Sequence, residues 1–258
     1  MNISDTDAFL AKYSAGGSLL WTRQLGSIYT DTSWAVSADD LGNVFISGHT
    51  MGSLEGTNQG GLDAFVSKYT ADGTQIWTKQ LGSKSWDWSY GVSADGLGNV
   101  YISGYTDGSL EVDNAGSMDA FLSKYTADGQ LSWTRQLGGK GFDFNSGVST
   151  DGLGNVYISG FTDGSLDGNN AGGEDIFVTK YTVDGTLTWT RQLGTHETER
   201  SYGISADGQG NVYVSGFTKG SLVPQIAIVS PPTPRSYYFL GGLPSFPSRL
   251  RDVWSSRR

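Results

Sequence analysis

Apolar and polar positions alternate along this chain in short bursts separated by turn residues. The runs SYGVSA (89–94), NVYISGYT (99–106), DAFLSKYTA (119–127) and LSWTRQLG (131–138) are rich in β-branched and aromatic residues. They are bounded by Asp95-Gly96, Asp107-Gly108, Asp128-Gly129 and a Gly-rich stretch. A period of two over so few residues is the mark of half-buried strands, and the pattern predicts four antiparallel strands in succession. Asp-Gly predicts two-residue hairpin turns, in which both central residues take positive φ. Within NVYISGYT, Val100 and Ile102 give one face and Tyr101 and Tyr105 the other. Both faces of such a sheet need cover that one sheet cannot supply.

The cover comes from repetition. The Asp of DAF/DIF falls at Asp7, Asp63, Asp119 and Asp175, the Trp of WTRQLG/WTKQLG at Trp21, Trp77, Trp133 and Trp189, and the Asn of GNV at Asn43, Asn99, Asn155 and Asn211, always 56 residues apart. An unbroken period places each unit equivalently in a regular array. The fold class expected is all-β: a β-propeller of four-stranded antiparallel blades, whose radial packing covers both faces of each sheet. A solenoid would need shorter coils and tandem sandwiches more strands per unit. The propeller domain spans residues 1–222. Residues 223–258 hold all six prolines and no repeat, a basic tail whose proline density opposes helix and central strand.

GNVYISGYT followed by DAFLSKYTADG and LSWTRQLG resembles the bacterial SBBP-type β-propeller repeat, over nearly all of residues 7–222. The resemblance implies a propeller in secreted or cell-envelope bacterial proteins, often in longer arrays, and implies no defined activity. By the strand order of related propellers, GVSAD is the innermost strand a, followed outward by b (NVYISGYT), c (DAFLSKYT) and d (LSWTRQLG). The chain begins at c and its repeats stop after b. Four blades are therefore expected, one of them shared between the N- and C-terminal strands to lock the ring.

Composition narrows the function. Residues 1–222 carry 12 Lys/Arg against 25 Asp/Glu, so the body is acidic and nucleic acid is a poor ligand. With no Cys, thiolate metal sites and Cys nucleophiles are excluded. The first residues lack the basic and apolar segments of a signal peptide, and no apolar run is long enough to span a membrane.

Among the internal copies, the d-to-a loops differ most: SIYTDTSW (27–34), SKSWDWSY (83–90), GKGFDFNS (139–146) and THETERSY (195–202). They share a face with the b-to-c loops, while the opposite turns hardly vary. A scaffold that presents binding loops has this form. The candidate binding residues are Tyr29, Asp31, Trp34, Trp86, Asp87, Trp88, Tyr90, Phe142, Asp143, Phe144 and Tyr202. Aromatics beside a carboxylate stack on sugar rings or cage a cation while the acid orients a hydroxyl. The same residues also suit a structural role, the rings covering blade ends and the acids capping turns.

The b-to-c loops (106–119, 162–175) offer oxygen ligands for Ca²⁺, but turn-forming Asx and Gly residues account for them without a metal. Lys12, Lys68, Lys124 and Lys180 are expected opposite the four repeat tryptophans, with each Lys stem across an indole. His49 and His196, the two histidines, occupy non-equivalent positions, too few for a metal site or a Ser-His-Asp relay. No catalytic residue, metal or cofactor is expected. The expected function is a non-catalytic interaction or structural module for a protein or glycan ligand. A lectin-like propeller is the alternative, and a glycoside hydrolase a distant one.

Overall fold

The computed structural model describes residues 6–222, so the proline-rich tail expected at 223–258 lies outside the described residues. The described residues form sixteen strands and no helix, hence no helix long and apolar enough to cross a membrane. Three complete antiparallel sheets follow one another: β3 (Asp31–Ala38) to β6 (Gln75–Leu81) by way of β4 (Val44–Thr50) and β5 (Asp63–Tyr69); β7 (Asp87–Ala94), β8 (Val100–Thr106), β9 (Asp119–Tyr125) and β10 (Leu131–Leu137); and β11 (Asp143–Thr150), β12 (Asn155–Thr162), β13 (Asp175–Thr182) and β14 (Leu187–Leu193). In each sheet the spatial order equals the chain order, a-b-c-d. Two half-blades flank them: β1 (Ala8–Tyr13) with β2 (Leu19–Leu25), and β15 (Glu199–Ala206) with β16 (Val212–Thr218).

The core lies between consecutive sheets. Phe45, Ala64 and Val66 of one blade pack on Val92, Val100, Ile102 and Phe121 of the next. Tyr101, Ala120 and Leu122 turn the other way, onto Val148, Val156, Ile158 and Phe177. Alternate residues of β8 thus enter different interfaces, and both faces of the middle strands are dry. The innermost strands converge so closely that a Cβ on Gly91 would stand 3.0 Å from the Gly147 Cα. Ser37, Ser93 and Ser149 accept the amide of the next blade's inner strand in turn, from Ala94 (3.2 Å), Thr150 (3.3 Å) and Ala206 (2.9 Å).

Three expectations need correction. The expected shared blade does not form among the described residues: β16 and β1 belong to separate two-stranded sheets. Each half-blade is held by the complete blade beside it, and that support does not require the two halves to meet. Nor are the hairpin turns two-residue. At the c-to-d turn Gly73 N donates to Thr70 O (2.9 Å) and Thr70 N to Thr74 O (2.8 Å), with positive φ at Gly73 (83°) and a bulge between Lys68 and Tyr69. The extra residue puts the left-handed position on Gly73, which takes it without a Cβ penalty.

The lysine register holds, with Lys12 opposite Trp21, Lys68 opposite Trp77, Lys124 opposite Trp133 and Lys180 opposite Trp189. The contact does not. Lys68 and Lys124 lie over Phe45 and Tyr101 of strand b, at 5.3 and 5.4 Å, and Arg23 and Arg135 take the tryptophan faces. The lysine and the indole N–H instead converge on one carbonyl of the following blade. Lys68 Nζ (2.9 Å) and Trp77 Nε1 (3.2 Å) donate to Ala127 O, and Lys124 (3.1 Å) and Trp133 (3.2 Å) to Val183 O. The pair clasps neighbouring blades together.

Candidate functional site

The variable loops sit on one another. Gly61 N donates to Ser85 O (2.8 Å) and Asp87 N to Leu62 O (2.7 Å), which ties a b-to-c loop to the d-to-a loop that follows it. At the first turn of each inner strand a β-bulge intervenes, after Ser33, Ser89, Asn145 and Ser201, so Trp34, Tyr90, Ser146 and Tyr202 are the extra residues. A bulge re-aims side chains and bends the strand. It also drives a carbonyl at strand b: a Cβ on Gly104 would stand 1.7 Å from Trp88 O and one on Gly160 1.8 Å from Phe144 O, which explains the glycine of ISGYT and ISGFT.

The bulges bring rings from successive blades into one line. Trp34 stands 6.3 Å from His49 and 5.4 Å from Tyr90, and its Nε1 donates to His49 Nδ1 (3.2 Å). Trp88 meets Trp86 edge-on at 5.2 Å and Tyr105 at 4.6 Å. Tyr90 and Tyr105 stack at 5.8 Å, and each meets Phe144, at 5.1 and 4.8 Å. Phe144 stacks on Phe161 (4.8 Å), which Phe142 meets edge-on (6.0 Å). Arg200 closes the line, its guanidinium 4.6 Å over Phe161 and held by both oxygens of Glu174. Beyond it Tyr202 meets Phe217 at 6.0 Å. The result is an aromatic ridge along the inner strands at the loop-bearing end of consecutive blades.

Of the residues singled out in the sequence, Trp34, Trp86 and Tyr202 are exposed (55%, 52% and 57%), as is Tyr29 on its loop. Trp88, Tyr90, Phe142 and Phe144 are half-buried within the ridge. Asp31, Asp87 and Asp143 are not at the surface at all, each being fully buried. Asp87 accepts from Ser83 N (2.6 Å), Ser83 Oγ and Thr106 Oγ1, and Asp143 from Gly139 N (2.7 Å). These carboxylates close the d-to-a loops and cannot flank a ligand, which corrects their expected binding role. Burial pushes the carboxyls of Asp87 and Asp143 above the usual range, against the hydrogen bonds that lower them.

Strand b supplies the ring partners that sequence reasoning missed: His49, Tyr105, Phe161 and Phe217, with Arg200 from strand a. Their signal was available, since positions 49, 105, 161 and 217 are one step of the repeat apart and always carry a ring. His49 is 8% exposed, and burial holds its imidazole below the ordinary value, although nearby Asp31 opposes the shift. Its Nδ1 accepts from Trp34, which suits the neutral form. Burial likewise raises the phenols of Tyr90 and Tyr105. Arg200 stays charged, held up by its hydrogen bonds to Glu174.

The b-to-c loops take up many of their oxygens internally, although Asp107 Oδ1 and one oxygen each of Asp63, Asp119 and Asp175 are buried without a hydrogen-bond partner. Asp119 accepts from Ala115 N (3.0 Å) and Gln136 Nε2 (2.8 Å), Asn114 Oδ1 from Gly116 N, and Glu111 pairs with Arg135 (2.7 Å). Among the described residues, no three His, Cys, Asp or Glu side chains are grouped to share a metal ion.

Comparison with known proteins bears on this architecture. The SBBP family, described as a beta-propeller repeat, matches residues 76–111, 132–167 and 188–222, each match running from a d strand through the next a and b strands. The regulatory protein FlaEY of Caulobacter vibrioides is 26% identical over 281 residues, covering 95% of this chain and 29% of FlaEY. An uncharacterized WD repeat-containing protein of Acanthamoeba polyphaga mimivirus is 21% identical over 234 residues, covering 70% of this chain and 17% of its own length. The chain thus spans less than a third of either relative. Among solved structures, a protein of unknown function from Bacteroides caccae overlays with a TM-score of 0.42 at 12% identity, covering 81% of this chain and 65% of that one. A luciferin-regenerating enzyme overlays at 0.41 and 15%, covering 81% and 62%. Overlays this loose carry no weight for fold or chemistry. The strand order, the blade-to-blade core and three successive family matches agree on a β-propeller repeat architecture, with residues 76–222 carrying three matches to the SBBP repeat.

Proposed function

We propose that this protein is a non-catalytic interaction module whose aromatic ridge docks a protein partner. The observation that carries the proposal is the ridge itself, a line of rings crossing consecutive blades with Trp34, Trp86 and Tyr202 left exposed. Partly open Trp and Tyr side chains set in a packed aromatic surround are the residues that dominate binding energy at protein interfaces. The burial of Asp31, Asp87 and Asp143 weighs against a sugar, which needs polar groups beside the stacking ring to fix its hydroxyls. Exposed indoles at Trp34 and Trp86 keep a carbohydrate ligand as the second reading. The name regulatory protein borne by the Caulobacter relative supports a role without turnover. The family resemblance supports a secreted or cell-envelope location in bacteria, which fractionation with antibody detection tests.

The binding test selects peptides from a displayed library on the intact protein and counter-screens the same protein on a glycan array. Peptides directed at the ridge should lose at least tenfold in affinity, about 1.4 kcal/mol, on Trp34→Ala or Trp86→Ala, with melting temperature little changed. Glycan binding abolished by the same substitutions would favour the lectin reading. Peptide binding indifferent to both substitutions, with no glycan bound, would remove the ridge as a binding surface.

A further inference from the structure

Among the described residues the two half-blades leave two strand edges unpaired, β16 on its c side and β1 on its b side. We propose that these edges pair between copies of this chain, so that the β1–β2 hairpin of one molecule completes the β15–β16 half-blade of another. Unpaired edges are templates for strand addition, and here each edge carries the partner sequence of the other. In the third complete blade Val156 pairs with Tyr181, Tyr157 with Lys180, Gly160 with Phe177 and Phe161 with Ile176. Moved along by the repeat, the same register sets Val212 against Tyr13, Tyr213 against Lys12, Gly216 against Phe9 and Phe217 against Ala8. Phe9 (70% exposed), Tyr13 (62%) and Tyr213 (61%) are the rings this pairing would cover, while their counterparts Tyr157, Phe177 and Tyr181 are buried.

The clasp between blades points to the same occupant. Lys124 and Trp133 meet on Val183 O, and Arg135 Nε donates to Gly185 O (2.7 Å). No described residue supplies the matching carbonyls to Lys180, Trp189 and the Nε of Arg191. In the β1–β2 turn the equivalent acceptors are Ala15 O and Gly17 O, both on exposed residues. A second connection recurs at Leu54, Leu110 and Leu166, whose amides donate to the Oε1 of Gln80, Gln136 and Gln192 at 2.9–3.0 Å. By the same shift Leu222 N would meet Gln24 Oε1 of the second copy. Strand ladder, covered rings and side-chain clasps therefore select one register. Because the two edges differ, the contact is head-to-tail, and it builds a ring if the rotation closes and a filament if it does not.

The chain has no cysteine, which makes the register directly testable. In the full chain carrying Ala11→Cys and Val214→Cys, positions the register sets opposite each other, oxidation should give disulfide-linked dimers and higher species that dissolve with reductant. Either substitution alone should give far fewer. Light scattering of the unmodified chain should show mass rising above 27.6 kDa with concentration. Tyr213→Lys, which sets two lysines opposite each other, should weaken association at least tenfold without loss of fold, and adding Lys12→Glu should restore it. A disulfide formed only within single chains would overturn the proposal, as would a monomeric mass at every concentration with no cross-linked species.

Discussion

Strands β12 and β16 teach the most when set side by side. NVYISGFT (155–162) and NVYVSGFT (211–218) differ by one methylene, at Ile158 and Val214. In the first, every residue from Val156 to Thr162 is buried; in the second, Tyr213, Ser215, Gly216, Phe217 and Thr218 are exposed. The backbone is the same in both, paired to an inner strand with the same bulge after Asn145 and Ser201. What differs is the neighbour. β13 lies along the far edge of β12, and β15 packs against its face, whereas among the described residues β16 has neither a c strand nor a following blade. Burial in a repeat protein belongs to the interface between units, and the terminal unit carries the same sequence without the same environment.

Identical substitutions in the two strands put this contrast to the test. The largest difference is expected at the glycines, where a Cβ would stand 1.8 Å from Phe144 O at Gly160 and 1.9 Å from Arg200 O at Gly216. Backbone cannot yield inside a three-sided blade, so Gly160→Ala should cost at least about 3 kcal/mol by urea unfolding, while an edge strand can shift and Gly216→Ala should cost under about half of that. Equal costs would mean that β16 is as firmly fixed as β12. Next in size are the tyrosines. Tyr157→Ala empties a site with no exposure and should cost about 3–5 kcal/mol, against under about 1 kcal/mol for Tyr213→Ala in dilute protein.

The smallest effect concerns the ridge column His49, Tyr105, Phe161 and Phe217, in which one ring is an imidazole whose burial disfavours its protonated form. Burial lowers the folded-state pKa of His49 below 6.5, so the unfolded chain binds the proton more readily and stability falls as pH drops through and below that value. His49→Phe should reduce the loss of melting temperature between pH 7 and pH 5, by an amount worth under about 1 kcal/mol. Asp87 and Asp143 carry the opposite sign: their raised carboxyl pKa makes the folded state the better proton binder, so acid favours the fold just above 3.8. The difference between variant and parent isolates the histidine. A variant as acid-sensitive as the parent would show that His49 is not the titrating ring.

Much of the architecture is legible in the chain because it is local and repeated. The strands, their a-b-c-d order, the pairing of Lys68 with Trp77 and the need for cover on both faces of VYISGY all follow from alternation and a fixed period. The candidate site was half legible. Variation among the d-to-a loops led to Trp34, Trp86, Trp88, Tyr90 and Phe144, yet the same reasoning placed Asp87 and Asp143 beside a ligand. A carboxylate in a loop reads alike whether it faces water or satisfies Ser83 N and Thr106 Oγ1. His49, Tyr105 and Phe161 were passed over because they end a strand whose sequence is almost constant. Only the pairing of strand b with a bulged strand a sets their rings among those of the loops.

The sequence by itself determined the unit: a strand's alternation is set by its own residues, and a period without insertions forces every copy into the same shape. Tertiary structure alone decided what the units do at their boundaries. Whether β16 meets β1, whether Lys68 lies on Trp77 or reaches past it to Ala127, and whether Asp87 faces solvent or loop all depend on contacts between groups about fifty residues apart or more, or on which side of a turn a short side chain falls. Desolvation and hydrogen-bond satisfaction act through whichever groups are adjacent in space, and nearly the same eight residues are mostly core in β12 and mostly surface in β16 because, among the described residues, only one of those strands has its neighbours.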